Sequence, residues 1–417
     1  MQSPVNQASA QQQTMQQSPS QHPQLSQRAQ IVKPFHGMRI GERAAELKRE
    51  GRSIIDLSLG QPDFGAPASV EQAMRALYDG RPLPYTSAAG LPALRERISE
   101  HYLKKHGVSV DPARIIITEG GSAALMLATA LTVDHGDGVL IADPSYPANR
   151  QLVHVFGGHI IDVPTNASTR FHMNAELVDQ YADETAKVVM ITSPSNPTGT
   201  TMSAQTLRET CQQAAAKGLW RIVDETYIDL ADCEPDGSAV RTALAYDPDA
   251  IICNSFSKSF GMTGWRLGWI VVPEFALEAV HDLATSFFLA AHTPTQVAAL
   301  AAFEPESQQI LEQRRLELLE RQAIVVQGLA DIGMPLEVEP NGAFYAYCSV
   351  EHTGLTAEEF CKRALDEVGV ALTPGIDFGQ ITAKTHVRMS YAASREDLYE
   401  GITRLGQFVQ SLHKAKQ

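Results

Sequence analysis

The chain has 417 residues and a formal net charge of -14, with 34 Lys and Arg against 48 Asp and Glu. A surface this acidic repels phosphate backbones and anionic headgroups, which disfavours nucleic acid and membrane partners. The 44% of hydrophobic residues leaves room for a large core and two domains, yet no apolar run approaches the roughly 20 residues of a membrane span.

Residues 1–30 are rich in Gln, Ser and Pro, with few large apolar side chains and no apolar h-region. A disordered tail is expected there, and a secretory signal is not. Residues 31–59 hold one helix, at about 40–50, and the strand-like run SIIDLSLG; this segment is expected to return and pack on a C-terminal unit. From about residue 110 come RIIIT (114–118), GVLIADP (138–144), HIIDVPT (159–165), KVVMITSP (187–194), WRIVDET (220–226), AIICNSF (250–256) and LGWIVVP (267–273). Runs so continuously apolar predict strands covered on both faces. The expected large domain, residues 60–300, is therefore an α/β unit of three layers, with a mostly parallel central sheet between helices. Helix 203–218 is one of those helices, with Ser203 as N-cap and Gly218 as its stop.

After residue 300 the pattern changes to one long amphipathic helix, 306–333, followed by GAFYAYCSV, VALTPG and HVRMSYA with helices at 356–368 and 394–412. A smaller α+β domain over 301–417 is expected. The five cysteines, at 211, 233, 253, 348 and 361, are odd in number and lack CxxC spacing. That fits a reducing, cytoplasmic setting without disulfides. The thirteen histidines show no ligand spacing, so no metal is expected.

In open parallel sheets, ligands gather at the carboxyl ends of strands. After RIIIT, the glycines 120 and 121 and Ser122 open a helix whose free N–H groups suit a phosphate, although a Gly-Gly turn alone is weak evidence. Asn196 follows KVVMITSP in SNPTG, and Asp224 and Tyr227 follow WRIV in DETY. Lys258 follows AIICN among three serines of SFSKSFGMTGWRLGW (255–269), an apolar stretch that is an unusual address for an ammonium. Hydroxyls, an amide, a carboxylate, a phenol and a lysine thus arise at successive strand ends. Pyridoxal 5'-phosphate needs that set: an amine for its aldehyde, an anion for its pyridine nitrogen, donors for its phenolic oxygen, and a phosphate cup.

SFSKSFGMTGWRLGW, SPSNPTG, DETY and HVRMSYA closely resemble the class I/II aminotransferases of the fold type I pyridoxal-phosphate superfamily, in order and spacing from about residue 31 to the end. The resemblance implies that Lys258 forms the Schiff base with the cofactor and, once substrate displaces it, shuttles the proton between Cα and C4'. It implies that Asp224 keeps the pyridine nitrogen protonated and that Asn196 and Tyr227 bond the phenolic oxygen. Gly121, Ser122, Ser255, Ser257 and Arg266 would hold the phosphate, and Tyr146 would stack on the ring. Arg388 would grip the substrate's α-carboxylate, a bidentate task that lysine does poorly, with Gly60 and Asn196 facing the substrate. Tyr85 would reach the phosphate of the neighbouring subunit's cofactor, which implies a homodimer with shared active sites.

Structural roles compete with these. Asp224 and Ser122 are also good N-caps, Arg266 and Arg388 also suit ion pairs, and Tyr146 and Tyr85 also suit packing. One departure bears on substrate: aspartate-type members can carry a lysine after the Gly-Gly turn, where this chain has Ser122. The leading expectation is ping-pong transfer of an amino group from an L-α-amino acid to a 2-oxo acid. A β-eliminating C–S lyase using the same cofactor is the alternative. A DNA-binding regulator built on such a domain would need more than residues 1–30, which are too short and polar for a helix-turn-helix.

Overall fold

The structure, a computed structural model, describes residues 24–32, 35–234 and 238–414. Its strands in chain order are β1 (Ile55–Asp56), β2 (Ile115–Thr118), β3 (Gly138–Asp143), β4 (His159–Pro164), β5 (Ala186–Thr192), β6 (Trp220–Asp224), β7 (Ile251–Ser255) and β8 (Gly268–Val271). Then follow β9 (Tyr345–Ser349), β10 (Val370–Ala371), β11 (Thr373–Pro374) and β12 (His386–Ser390).

Seven strands form the main sheet in the order β2-β8-β7-β6-β5-β3-β4. The alternation of their side chains divides the core between two faces. Ile115, Ile117 and Ile252 pack in one apolar cluster, while Ile116, Ile251 and Cys253 pack in another. Both faces are covered, as such apolar strands require. All neighbours are parallel except β8, which runs antiparallel to both β2 and β7. The reversal has a physical reason: the β7–β8 connection, residues 256–267, contains no α-helix to carry the chain back for a parallel return. The chain instead doubles back directly, and that connection carries Lys258 and Arg266.

The C-terminal part builds a three-stranded antiparallel sheet, β11-β12-β9, against helices Pro305–Asp331 and Arg395–Lys414. The chain's first strand joins this part, since Ile55 and Asp56 of β1 pair in parallel with Val370 and Ala371 of β10. The run VALTPG is not one strand. Val370–Ala371 pairs with β1 and Thr373–Pro374 with β12, so the chain changes partner at the buried Leu372.

The reading of residues 1–30 as a disordered tail falls mostly on 1–23, outside the described residues. Its last residues instead form the short helix Gln27–Ile31, where the Ser26 hydroxyl accepts from the Ala29 N–H at 3.2 Å. Among the described residues no helix is long and apolar enough to cross a membrane.

Candidate active site

A cavity of about 640 Å³ opens at the carboxyl ends of β2, β5, β6 and β7 and is closed on the other side by β12. Twelve of the thirteen residues singled out from sequence line it: Gly60, Gly121, Ser122, Tyr146, Asn196, Asp224, Tyr227, Ser255, Ser257, Lys258, Arg266 and Arg388. Tyr85 does not; its side chain stands outside the cavity of its own chain, 78% exposed.

At the end of β7 the chain turns sharply through Ser255–Ser257, and the Ser255 hydroxyl ties the turn by accepting from the Ser257 N–H at 3.0 Å. This turn delivers Lys258 into the cavity, where its Nζ donates to the Gly60 carbonyl at 2.5 Å. Burial, aided by the like charges of Arg388 and Arg266, pushes the Lys258 ammonium down to about 8, and Asp224 resists the shift. A buried lysine brought this near neutrality is a usable nucleophile and base.

Asp224 ends β6 with its carboxylate buried, and burial raises its pKa. Its Oδ1 accepts the Thr226 N–H at 3.0 Å and the Thr226 hydroxyl at 2.6 Å. The caps are local, so Asp224 does act on the turn after its strand. Among the described residues Oδ2 has no donor, which leaves a buried anion in need of a cationic partner. A protonated pyridine nitrogen meets that need.

The phosphate side is built from backbone. Gly120 (φ +82°) precedes helix Gly121–Thr132, and a Cβ on it would fall 2.5 Å from Arg266 Nη2. A Cβ on Gly121 would lie 3.3 Å from the Ser255 Cβ. Glycine at both places leaves open the space between a helix N-terminus, two serine hydroxyls and a guanidinium, a cradle that suits a phosphate. Arg266 itself adopts φ +54° and donates to the Thr263 carbonyl at 3.1 Å.

Opposite, Arg388 on β12 is buried and sandwiched between the rings of Tyr345 and Phe378, with its guanidinium carbon 4.5 and 4.9 Å from their centres. Its Nη1 donates to Asn196 Oδ1 at 2.8 Å and its Nη2 to the Ser58 carbonyl at 2.7 Å, while its buried Nε has no partner. Among the described residues no carboxylate pairs with it, which speaks against the ion-pair alternative. The unsatisfied buried donor and the open charge suit a carboxylate ligand.

Three elements of the site were not singled out from sequence. Tyr345 exchanges a 2.8 Å hydrogen bond with the Tyr227 hydroxyl while its ring carries Arg388, so one side chain braces two others. Thr192 and Thr226 line the cavity at the ends of their strands. Helix His36–Arg49 supplies a wall through Gly37, Met38, Gly41 and Ala45, and the Asp377 carboxylate caps it by accepting from the His36 and Gly37 N–H groups at 2.7 and 2.6 Å. The GAFY turn before β9 was the available signal for Tyr345. Nothing local links Asp377 to a helix some 340 residues earlier.

The central sheet and the β12 side thus bring a buried amine, a buried carboxylate, a glycine-lined helix N-terminus and a buried guanidinium into one cavity, a set that suits an enzyme working on amino acids through a phosphorylated aldehyde. The chain belongs to the class I and II aminotransferase family, whose model matches residues 52–405. Members of this family depend on pyridoxal phosphate, and the chain is accordingly a transferase. It is 34% identical over 382 residues to a valine–pyruvate aminotransferase of Mycobacterium tuberculosis, covering 91% of this chain and 97% of that one. It is 32% identical to an aspartate aminotransferase of Streptomyces avermitilis, covering 93% and 97%. The crystal structure of an aminotransferase from Mycobacterium tuberculosis superposes with a TM-score of 0.90 at 33% identity, covering 94% of this chain and all of that one.

Proposed function

We propose that this chain moves the amino group of a neutral L-α-amino acid to a 2-oxo acid in two half-reactions at one site. The observation that carries the reading is the meeting of Lys258, Asp224 and Arg388 in one cavity, where the Arg388 Nε has no partner among the described residues. When bound, pyridoxal phosphate supplies the aldehyde that takes up the amino group and the cationic ring that draws electrons from the substrate's Cα. Gly121, Ser122, Ser255, Ser257 and Arg266 would hold its phosphate, Tyr146 would pack on its ring, and Asn196 and Tyr227 would donate to its phenolic oxygen. Asp224 would keep the ring nitrogen protonated. Lys258 would hold the aldehyde in the resting enzyme and, once free, would move the proton at Cα. Arg388 binds the α-carboxylate and so orients the Cα–H bond toward Lys258.

The neutral donor follows from counting cations. Among the described lining residues only Lys258, Arg266 and Arg388 carry positive charge, and each already has a task. Ser122 stands where a distal carboxylate would want a lysine, and Glu42 on the wall would repel one. We further propose that residues 60–300 and 301–417 act as two units, with 31–59 belonging to the second, and that two chains pair so that Tyr85 completes the partner's site. The five cysteines, four of them buried and none paired, support a reducing, cytoplasmic setting.

The test is a single-turnover assay. Holoenzyme mixed with one amino acid at a time, without an oxo acid, is expected to release one equivalent of 2-oxo acid per site with valine or alanine and little with aspartate. No ammonia should form. Continuous turnover with ammonia from cystathionine would favour the lyase instead. Lys258→Ala should stop release while leaving the circular dichroism spectrum unchanged; wild-type release by that variant would refute the reading.

A further inference from the structure

At the turn that follows Tyr227, His101, His106 and Asp229 come together in the interior. His101 ends helix Pro92–His101, and His106 ends the single π-helical turn Tyr102–His106 that continues it. On an α-helix, residues five apart point about 140° away from each other. A π turn, closed from i to i+5, is wider and swings the second ring back beside the first. Asp229 comes from the short turn Ile228–Leu230 that follows Tyr227. The sequence spacing of five therefore hides a pair that the backbone reunites.

His101 Nε2 lies 3.0 Å from Asp229 Oδ2, and His106 Nε2 lies 3.8 Å from Oδ1. All three ligand atoms fall within 4.8 Å of one another. Ligands at about 2.0–2.1 Å from a tetrahedral ion sit about 3.3 Å apart, so small side-chain rotations suffice to close this set on an ion. The outer contacts are also in place. His106 Nδ1 lies 3.2 Å from the Val240 carbonyl, to which it donates, so its Nε2 presents a lone pair toward the carboxylate. Metal-bound histidines are held in that way, whereas a lone pair facing an anion without a cation between them is repulsive. A small cavity of about 20 Å³ adjoins the cluster, with room for one water; its polar lining is His101, Lys105, Asp229, Ser259, Gln308 and Glu312, and the Lys105 ammonium lies 3.8 Å from the Glu312 carboxylate.

We propose that His101, His106 and Asp229 form a site for a divalent transition-metal ion of the zinc class, with water as fourth ligand. Two imidazoles and one carboxylate select zinc, cobalt or nickel over magnesium or calcium. The bound ion ties two elements together: the end of helix Pro92–His101 with its π turn, and the turn after Tyr227. Its role is to hold these in register, and no step of amino transfer passes through it.

The test uses the full-length holoenzyme, stripped with chelator and titrated with zinc chloride by calorimetry, with cobalt(II) as a spectroscopic substitute. The expected result is one tight equivalent per chain, a metal-dependent rise in melting temperature, and intense visible bands for tetrahedral cobalt. Asp229→Asn and His106→Gln should each weaken zinc binding by more than about a hundredfold, since even outer contacts cost ten- to hundredfold. Equal binding by wild type and both variants would mean that surface histidines alone capture the ion and would overturn the proposal. So would the absence of a tight equivalent in wild type, a result that does not depend on whether the variants fold.

Discussion

At the scale of single residues, the cavity is marked by one amine whose charge is made costly. The Lys258 ammonium is brought to about 8 chiefly by burial, with Arg388 and Arg266 pushing in the same direction. About a tenth of the amine is then neutral at pH 7, against far less than a hundredth at its ordinary value. The rate at which the apoprotein takes up pyridoxal phosphate should therefore rise about tenfold per pH unit below 8 and level off above it. Arg388→Met removes a like charge, which makes the ammonium less costly, so its profile should move to higher pH. Arg388→Lys keeps the charge and should keep the profile, while kcat/KM for the amino acid falls by about a hundredfold with the loss of the planar grip. Coincident pH profiles for the two variants would show that the charge of Arg388 does not act on Lys258. Asn196, Asp224 and Lys258 were legible as cavity residues because each stands at or just past the end of an apolar strand, where its type is unusual. Tyr345 was not, because a tyrosine in an apolar strand looks like core until its hydroxyl is seen against Tyr227.

At the scale of elements, the seven main-sheet strands were legible because continuous apolar runs have few other homes. The helix Ala204–Ala216 was legible from its ends, with Ser203 capping Thr206 and Gly218 at φ +73° beyond it. What escaped was the order of strands, the change of partner at Leu372, and the π turn Tyr102–His106, for which no periodicity was available. The turn from β2 into helix Gly121–Thr132 offers a test of how far an element's end serves the ligand. Gly120→Ala places a methyl group at positive φ and against Arg266, and should weaken cofactor binding by about tenfold or more in equilibrium dialysis. Gly136→Ala imposes a similar strain, at φ +90°, with nothing within 4 Å. It should lower the melting temperature yet leave cofactor affinity unchanged. Equal losses of affinity would mean that backbone strain, and not the contact with Arg266, controls the cradle.

At the scale of the whole molecule, the proposed dimer makes a quantitative demand. Light scattering should give twice the 45.4 kDa of the chain. Lys258→Ala and Tyr85→Ala chains, each nearly inactive alone, should regain about a quarter of wild-type activity when refolded together, because half the mixed dimers' sites combine an intact lysine with the partner's intact tyrosine. An activity that stays at the average of the two parents would place Tyr85 outside the partner's site. The pairing of β1 with β10 has another consequence, which concerns the chain while it is being made. The Thr373 hydroxyl, next to β10, donates to the Ser58 carbonyl, next to β1, across 315 residues. At about 5–20 residues per second, β1 leaves the ribosome roughly 15 to 60 seconds before its partner exists. Throughout that interval a strand edge and the apolar Ile54, Ile55 and Leu57, all buried in the finished protein, have nothing to cover them. The nascent chain must pass through this wait with its first strand bare, until translation reaches residue 371.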